Sequence, residues 1–151
     1  LKGAEGIMKV STKGRYGLRA MIDLALYSKN DLVPLISIAE RQDISKSYLE
    51  QVFSALRKAG LVKSIKGAQG GYTLSTEAEN ITVGMILRAL EGDLSVVPIE
   101  DDTPNNRIEC YIRTKIWEEI DNKVFSYIDS ITLKDITDDY LKMDSAPMYY
   151  I

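Results

Sequence analysis

Along the chain, apolar positions recur first every three or four residues, then every two, then every three or four again. Leu18, Met21, Ile22, Ala25 and Leu26 share one helical face, so residues 13–28 are predicted as a first helix, entered from Thr12 as N-cap. Asn30-Asp31 and Pro34 break it, and residues 37–42, with Ile38 and Ala39 inward, are predicted as a short second helix. Residues 43–45 make a tight turn. Ser45 then caps a third helix that runs to Ala59 on a stripe of Leu49, Val52, Phe53 and Leu56, and Gly60 closes it. The period now drops to two. Residues 61–66 read as a strand, the glycine-rich residues 67–71 as a turn, and residues 72–74 as the returning strand.

Thr82 caps a helix over residues 83–91 that Gly92 ends. Residues 93–106, with Pro98, Pro104 and Glu100-Asp101-Asp102, read as a linker or mobile loop. Beyond it Ile108, Ile112, Ile116, Ile120, Val124 and Ile128 recur every four residues, with Tyr111, Trp117, Tyr127 and Ile131 beside them. That predicts one long helix over residues 107–131, roughly 35 Å at 1.5 Å per residue. Thr132 caps a shorter helix through Tyr140, and a tail ends in Tyr149-Tyr150-Ile151.

These elements predict a mainly α fold with a small β-hairpin wing (α+β). A winged helix-turn-helix occupies residues 8–92, a linker 93–106, dimerisation helices 107–140 and a tail 141–151. Residues 1–7 are set aside as an expression scar, because Met8 resembles a natural initiator. The turn at 43–45 is too short for the second and third helices to run antiparallel. They must cross, which presents the third helix to a DNA major groove.

Composition sharpens this reading. The net charge of −3 by itself argues against nucleic acid, but its distribution does not. Residues 9–72 carry eleven basic and five acidic side chains, a net +6, whereas residues 93–151 carry six and thirteen, a net −7. A basic half can gather phosphate charge while an acidic half stays off it. No stretch approaches the roughly 18–20 apolar residues of a membrane span. The single cysteine, Cys110, excludes an internal disulfide and fits a reducing cytoplasm; with no histidine, it is a poor donor set for zinc or an iron–sulfur cluster. General acid–base or nucleophilic catalysis lacks its constellation.

The exposed start of the third helix, Ser45, Lys46, Ser47 and Tyr48 followed by Glu50 and Gln51, offers short or polar groups to base edges and phosphates. The wing carries Lys63 and Lys66 beside a tip of Gly67, Gln69, Gly70 and Gly71, where glycines let the backbone approach a phosphate or the minor groove. The stripe Ile112, Ile116, Ile120, Val124 and Ile128 belongs to a helix longer than an 80-residue winged-helix core can cover. A two-fold homodimer would bury it and match a palindromic site on double-stranded DNA.

Four separated motifs resemble the Rrf2 family of bacterial repressors. They are Ser11-Thr12-Lys13-Gly14-Arg15-Tyr16-Gly17-Leu18; Ser45-Lys46-Ser47-Tyr48-Leu49-Glu50-Gln51 with Leu56-Arg57-Lys58-Ala59-Gly60-Leu61-Val62; Lys66-Gly67-Ala68-Gln69-Gly70-Gly71-Tyr72; and Ile131-Thr132-Leu133-Lys134-Asp135-Ile136. The resemblance implies base contacts from Ser47, Glu50 and Gln51 and phosphate or minor-groove contacts from Lys66 and the wing around it. It implies that Tyr48 and Arg57 position the helix, and that long helices cross in a dimer. A carboxylate such as Glu50 accepts from cytosine N4 but repels phosphate, so it would add discrimination rather than affinity.

Many relatives hold an iron–sulfur cluster on three cysteines in the loop that here spans residues 93–106. This loop has none, so no cofactor and no metal is expected.

The chain also resembles the branch of the family that represses cysteine metabolism. That implies a protein partner, O-acetylserine sulfhydrylase (cysteine synthase), whose pocket would take the C-terminal Tyr149, Tyr150 and Ile151. A tail packed on its own domain is the competing reading. Two further alternatives are a thiol switch at Cys110 and a winged-helix protein-interaction module.

Overall fold

The computed structural model describes residues 9–98 and 105–145. The first helix, α1 (Thr12–Tyr27), begins one residue before its predicted start. Ser11 rather than Thr12 is the cap: its hydroxyl accepts from Gly14 N at 3.2 Å, while its own N–H donates to Glu91 at 3.0 Å. Helix α2 (Leu35–Gln42) starts directly after Pro34, two residues before the predicted Ser37. Pro34 ends an extended approach and launches the helix. Asp43 follows in the left-handed conformation, φ 53°, and sends the chain across into α3 (Lys46–Lys58).

The wing pairs β1 (Val62–Ile65) with β2 (Gly71–Leu74) antiparallel, Val62 opposite Leu74 and Ile65 opposite Gly71. Val33 exchanges two backbone hydrogen bonds with Tyr72, each 2.8 Å, which ties the hairpin root to the approach to α2. Gly71 has an internal reason to lack a side chain, since a Cβ there would meet the backbone of Val33 at 2.7 Å. Gly70 is likewise pressed against Ile65 O. Neither glycine needs DNA to explain it.

Helices α4 (Val83–Glu91), α5 (Arg107–Ile112), α6 (Glu118–Ser130) and α7 (Leu133–Ser145) complete the chain. The predicted long helix is α5 and α6 joined without a break through a π-helical turn, Arg113–Trp117. The turn has a geometric consequence. Each step of four residues overshoots an α-helical turn by about 40°, so an uninterrupted stripe would wind off one face. A wider turn rotates it back.

The core is built from Met21 and Leu24 of α1, Ile38 of α2, Leu49, Val52, Phe53 and Leu56 of α3, and Ile81 and Ile86, all fully shielded. Leu133 joins them. It arrives through a short bridge in which Val83 N donates to Ile131 O and Leu133 N to Ile81 O, each at 2.9 Å, and α7 then packs along α1. The C-terminal helix thus packs into the winged-helix core. It also corrects a sequence expectation: it runs to Ser145, so residues 141–145 are helix instead of tail. Sparse apolar positions concealed this, because Leu133 and Thr137 are its only buried side chains.

Helix α6 rests on α4. Gly84 permits the approach, since its Cβ would fall 1.9 Å from Asp129 Oδ1. Arg88 grips Asp129 with two bonds of 2.6 and 3.0 Å and stacks 5.1 Å from the Phe125 ring centre. The start of the predicted linker is fixed rather than loose: Ser95 donates twice to Asp93, and Asp121 of α6 accepts from Val96 N at 2.8 Å.

Candidate nucleic-acid interface

The helix-turn-helix angle rests on one buried carboxylate. Asp23 of α1 is 1 % exposed and accepts from Arg41 Nε at 2.9 Å, Arg41 Nη2 at 2.7 Å and Gln42 Nε2 at 3.0 Å. The Asp23 hydrogen bonds raise the Arg41 pKa further, and its guanidinium lies 3.8 Å from the Tyr27 ring centre. Arg19 adds a bond to the carbonyl of Gln42. Together these clamp α2 to α1 and thereby aim α3.

Helical periodicity then sorts the expected site residues. Leu49, Val52, Phe53 and Leu56 face the core. Ser47 and Gln51 are exposed on the opposite side, where a base edge would lie. Lys46, Glu50 and Arg57 fall on the flank toward the wing, where they line a cleft of about 650 Å³ shared with Ser64, Lys66, Gly67, Gly70 and Gly71. The cleft gathers three cations, Lys46, Arg57 and Lys66, around one carboxylate, Glu50. Ser45 spends its hydroxyl on Tyr48 N at 3.2 Å as the helix cap.

Other expected residues fall elsewhere. Tyr48 is half-buried, edge-on to Tyr16 with ring centres 6.0 Å apart. Tyr72 borders the cleft but packs on Phe53 at 4.7 Å and supplies the backbone bonds to Val33, which gives it a packing role as well. Lys63 alternates with Ser64 along β1, which turns it to the other face of the hairpin from the cleft. Gln69 is exposed at the tip, and Gly67, φ 120°, supplies the carbonyl that closes the turn onto Gly70 N at 3.0 Å. Sequence reasoning missed Arg15 and Arg19, which stack on Tyr16 at 6.0 and 5.1 Å beside the start of α3. The signal was present in their i, i+4 spacing with Tyr16 between them.

No residue from Arg107 to Ser130 is buried. Ile108, Tyr111 and Tyr127 are 71, 64 and 68 % exposed, and Ile116 and Val124 are also open. Ile112, Ile120 and Ile128 are half-covered. Part of the expected seam faces its own domain, since Ile120, Val124 and Ile128 line an apolar groove of about 170 Å³ with Leu87, Leu94 and Val96. Cys110 is half-buried on α5. Tyr149, Tyr150 and Ile151 lie outside the described residues. Among those described, no helix is long and apolar enough to cross a membrane.

Three crossed helices with a hairpin wing, a polar face on the third helix and a cationic cleft beside it define a winged helix-turn-helix DNA-binding protein. The comparisons identify which kind. A family model described as "Rrf2: Iron-dependent Transcriptional regulator" matches residues 10–139. The HTH-type transcriptional regulator CymR of Bacillus subtilis is 46 % identical over 145 residues, spanning 95 % of this chain and all of that one. Its solved structure, described as the global cysteine regulator, superposes with a TM-score of 0.73 at 45 % identity over 86 % of this chain and 96 % of its own. The transcriptional regulator IscR of Vibrio atlanticus is 41 % identical over 137 residues, 87 % of this chain and 76 % of that one. The chain belongs to the Rrf2 family and is a transcription regulator, not an enzyme.

The iron named in that family description meets an unsuited donor set here. Iron–sulfur clusters are held by four thiolates, or by thiolates with histidines. This chain has one cysteine and no histidine, and residues 99–104 add only carboxylates. Among the described residues no three His, Cys, Asp or Glu side chains are grouped to hold a metal. The residues do not fit an iron–sulfur cluster.

Proposed function

We propose that the protein is a homodimeric repressor that reads a palindromic DNA site and controls cysteine or sulfur metabolism. The observation that carries the reading is the shared cleft between α3 and the wing. The cleft gathers Lys46, Arg57 and Lys66, which supports a reading in which they bracket a phosphate backbone while Ser47, Glu50 and Gln51 meet base edges. The exposed apolar side chains of α5 and α6 support a second copy, and a two-fold pair of recognition helices matches a palindrome. Likeness to a cysteine regulator over nearly the whole chain supports the metabolic assignment.

Selection of bound sequences from random DNA tests this directly. Gln51→Ala should cost roughly 1–3 kcal/mol and relax preference at one or two positions. Lys66→Ala should weaken all sequences alike and reduce the salt slope by about one unit per subunit. A selected motif unchanged by Gln51→Ala would refute the helix assignment.

Tyr149, Tyr150 and Ile151 are proposed to enter a pocket of O-acetylserine sulfhydrylase, a partner suited to a regulator of cysteine metabolism. If the synthase tightens DNA binding, it must bind the repressor–DNA complex more tightly by the same factor. Deleting Ile151 should abolish that coupling and leave intrinsic operator affinity intact. Titration of operator with both proteins, with and without O-acetylserine, decides it, an unchanged response after the deletion being the refuting result.

A further inference from the structure

The motif at the start of α1, Ser11 to Leu18, has a structural explanation for most of its residues but not for its cations. Ser11 caps the helix, Gly14 and Gly17 let α4 approach, and Tyr16 supports Tyr48 at the start of α3. Arg15 remains. Its side chain is exposed, yet it is held in place by two neighbours: Nη2 donates to Thr12 Oγ1 at 3.2 Å, and the guanidinium lies 6.0 Å from the Tyr16 ring centre. Thr12 takes only one of the five donors an arginine carries.

The first turn of α1 holds Lys13 and Arg15 and no acid of its own; the carboxylate that meets this N-terminus, Glu91 of α4, accepts from Ser11 N at 3.0 Å. An exposed cation held in place by its own helix is available to a ligand.

Its position supplies the rest. Thr12, Arg15, Tyr16 and Arg19 share one face of α1, and Tyr16 abuts Tyr48, which lies on the flank of α3 away from the wing cleft. The exposed Ser47 and Gln51 lie between the two flanks. An α-helix in a major groove about 12 Å wide has a phosphate backbone on each side. The wing cleft serves one of them.

We propose that Arg15, ordered by Thr12 and Tyr16, is a phosphate-binding residue that grips the backbone on the opposite side of the groove from the wing. Arg19, stacked on the same ring and bonded to Gln42, is a positioning residue that holds this flank to the helix-turn-helix. The assignment rests on the DNA-binding reading above and adds a second electrostatic clamp to it.

The test uses the full chain and an operator duplex obtained by selection. Arg15→Gln should lower affinity for the operator and for a scrambled duplex by the same factor and leave the selected motif unchanged. Each lost phosphate contact removes about 0.9 from the salt slope, so a dimer should lose roughly two units. Between 50 and 200 mM salt, the variant's affinity should then fall roughly tenfold less than that of the wild type. Arg15→Lys should restore most of the slope. A lowered melting temperature with an unchanged slope would show Arg15 to be structural and overturn the proposal. So would a changed base preference. A wild-type protein that retains no duplex at all would overturn the DNA-binding reading itself, whereas normal wild-type binding with an unaffected Arg15→Gln variant would overturn only the clamp.

Discussion

Replacing Arg41 by methionine tests the joint that aims the recognition helix. The substitution keeps a long, flexible side chain but strands the Asp23 carboxylate, 1 % exposed, with Gln42 as its remaining partner among the bonds described. Breaking a buried ion pair by removing one member costs about 3–5 kcal/mol. The Arg41 side chain is 32 % exposed, so water can reach the vacated volume and the cost falls at the low end, about 3 kcal/mol. Loss of the stacking on Tyr27 at 3.8 Å adds about 0.5–1 kcal/mol. Against a typical total of about 5–15 kcal/mol, that is a large fraction. Urea melts should be run at one fixed protein concentration, because self-association shifts the midpoint. The single variant should lose stability at an unchanged m-value, and Asp23→Leu combined with Arg41→Met should recover most of the loss, since no charge is then left buried. A loss below about 1 kcal/mol, within the range of an exposed pair, would refute the reasoning. A double variant no better than the single one would do so as well.

Gly71→Ala forces a methyl against the Val33 backbone at 2.7 Å, and should cost about 1–3 kcal/mol in urea melts while loosening the wing. Tyr111→Asp places its charge on a side chain already 64 % exposed, so the subunit should keep its helical circular dichroism while sedimenting as a monomer; a persistent dimer would refute the α5–α6 interface. The hydrogen bonds from Arg88 hold the Asp129 carboxyl below its ordinary pKa. Its contribution is therefore complete above the unfolded value, near 4, and lost as pH falls through the folded one. Thermal melts of Asp129→Asn and wild type should differ at neutral pH and converge at the acid end; a constant gap would refute the assignment.

The parts of the fold that were legible in the sequence are those with a regular period. The stripe of α3 and the alternation of the wing are local patterns, and both elements stand where they were expected. The parts that were not legible depend on single residues meeting across the chain. Val33 gives no strand signal alone, yet its two bonds to Tyr72 anchor the wing. Leu133 is one apolar residue in a polar helix, and its burial decides that α7 belongs to the core. The buried pair of Asp23 and Arg41 joins residues eighteen apart that read separately as surface charges. The candidate site divides the same way. Periodicity orients Ser47, Glu50 and Gln51, but only the fold turns Lys63 away from the cleft and brings Arg15 and Arg19 beside Tyr48.

The loop after α4 carries the sharpest difference from an iron-dependent regulator. A cluster would order such a loop by ligating it. Here residues 93–98 are ordered by protein groups, with Ser95 bonded to Asp93 and Val96 N to Asp121 on α6. The same carboxylate that holds the loop is thereby spent on a backbone N–H. Operator affinity should accordingly be the same for protein purified anaerobically with iron and sulfide and for protein treated with a chelator. Asp121→Ala, in contrast, should raise amide exchange at Val96 and in its neighbours, because a half-buried backbone donor loses its acceptor. Stoichiometric iron with visible charge-transfer absorption, or an operator affinity that follows iron loading, would refute this account. Unchanged exchange in Asp121→Ala would show that the loop is held by its apolar contacts with the groove instead.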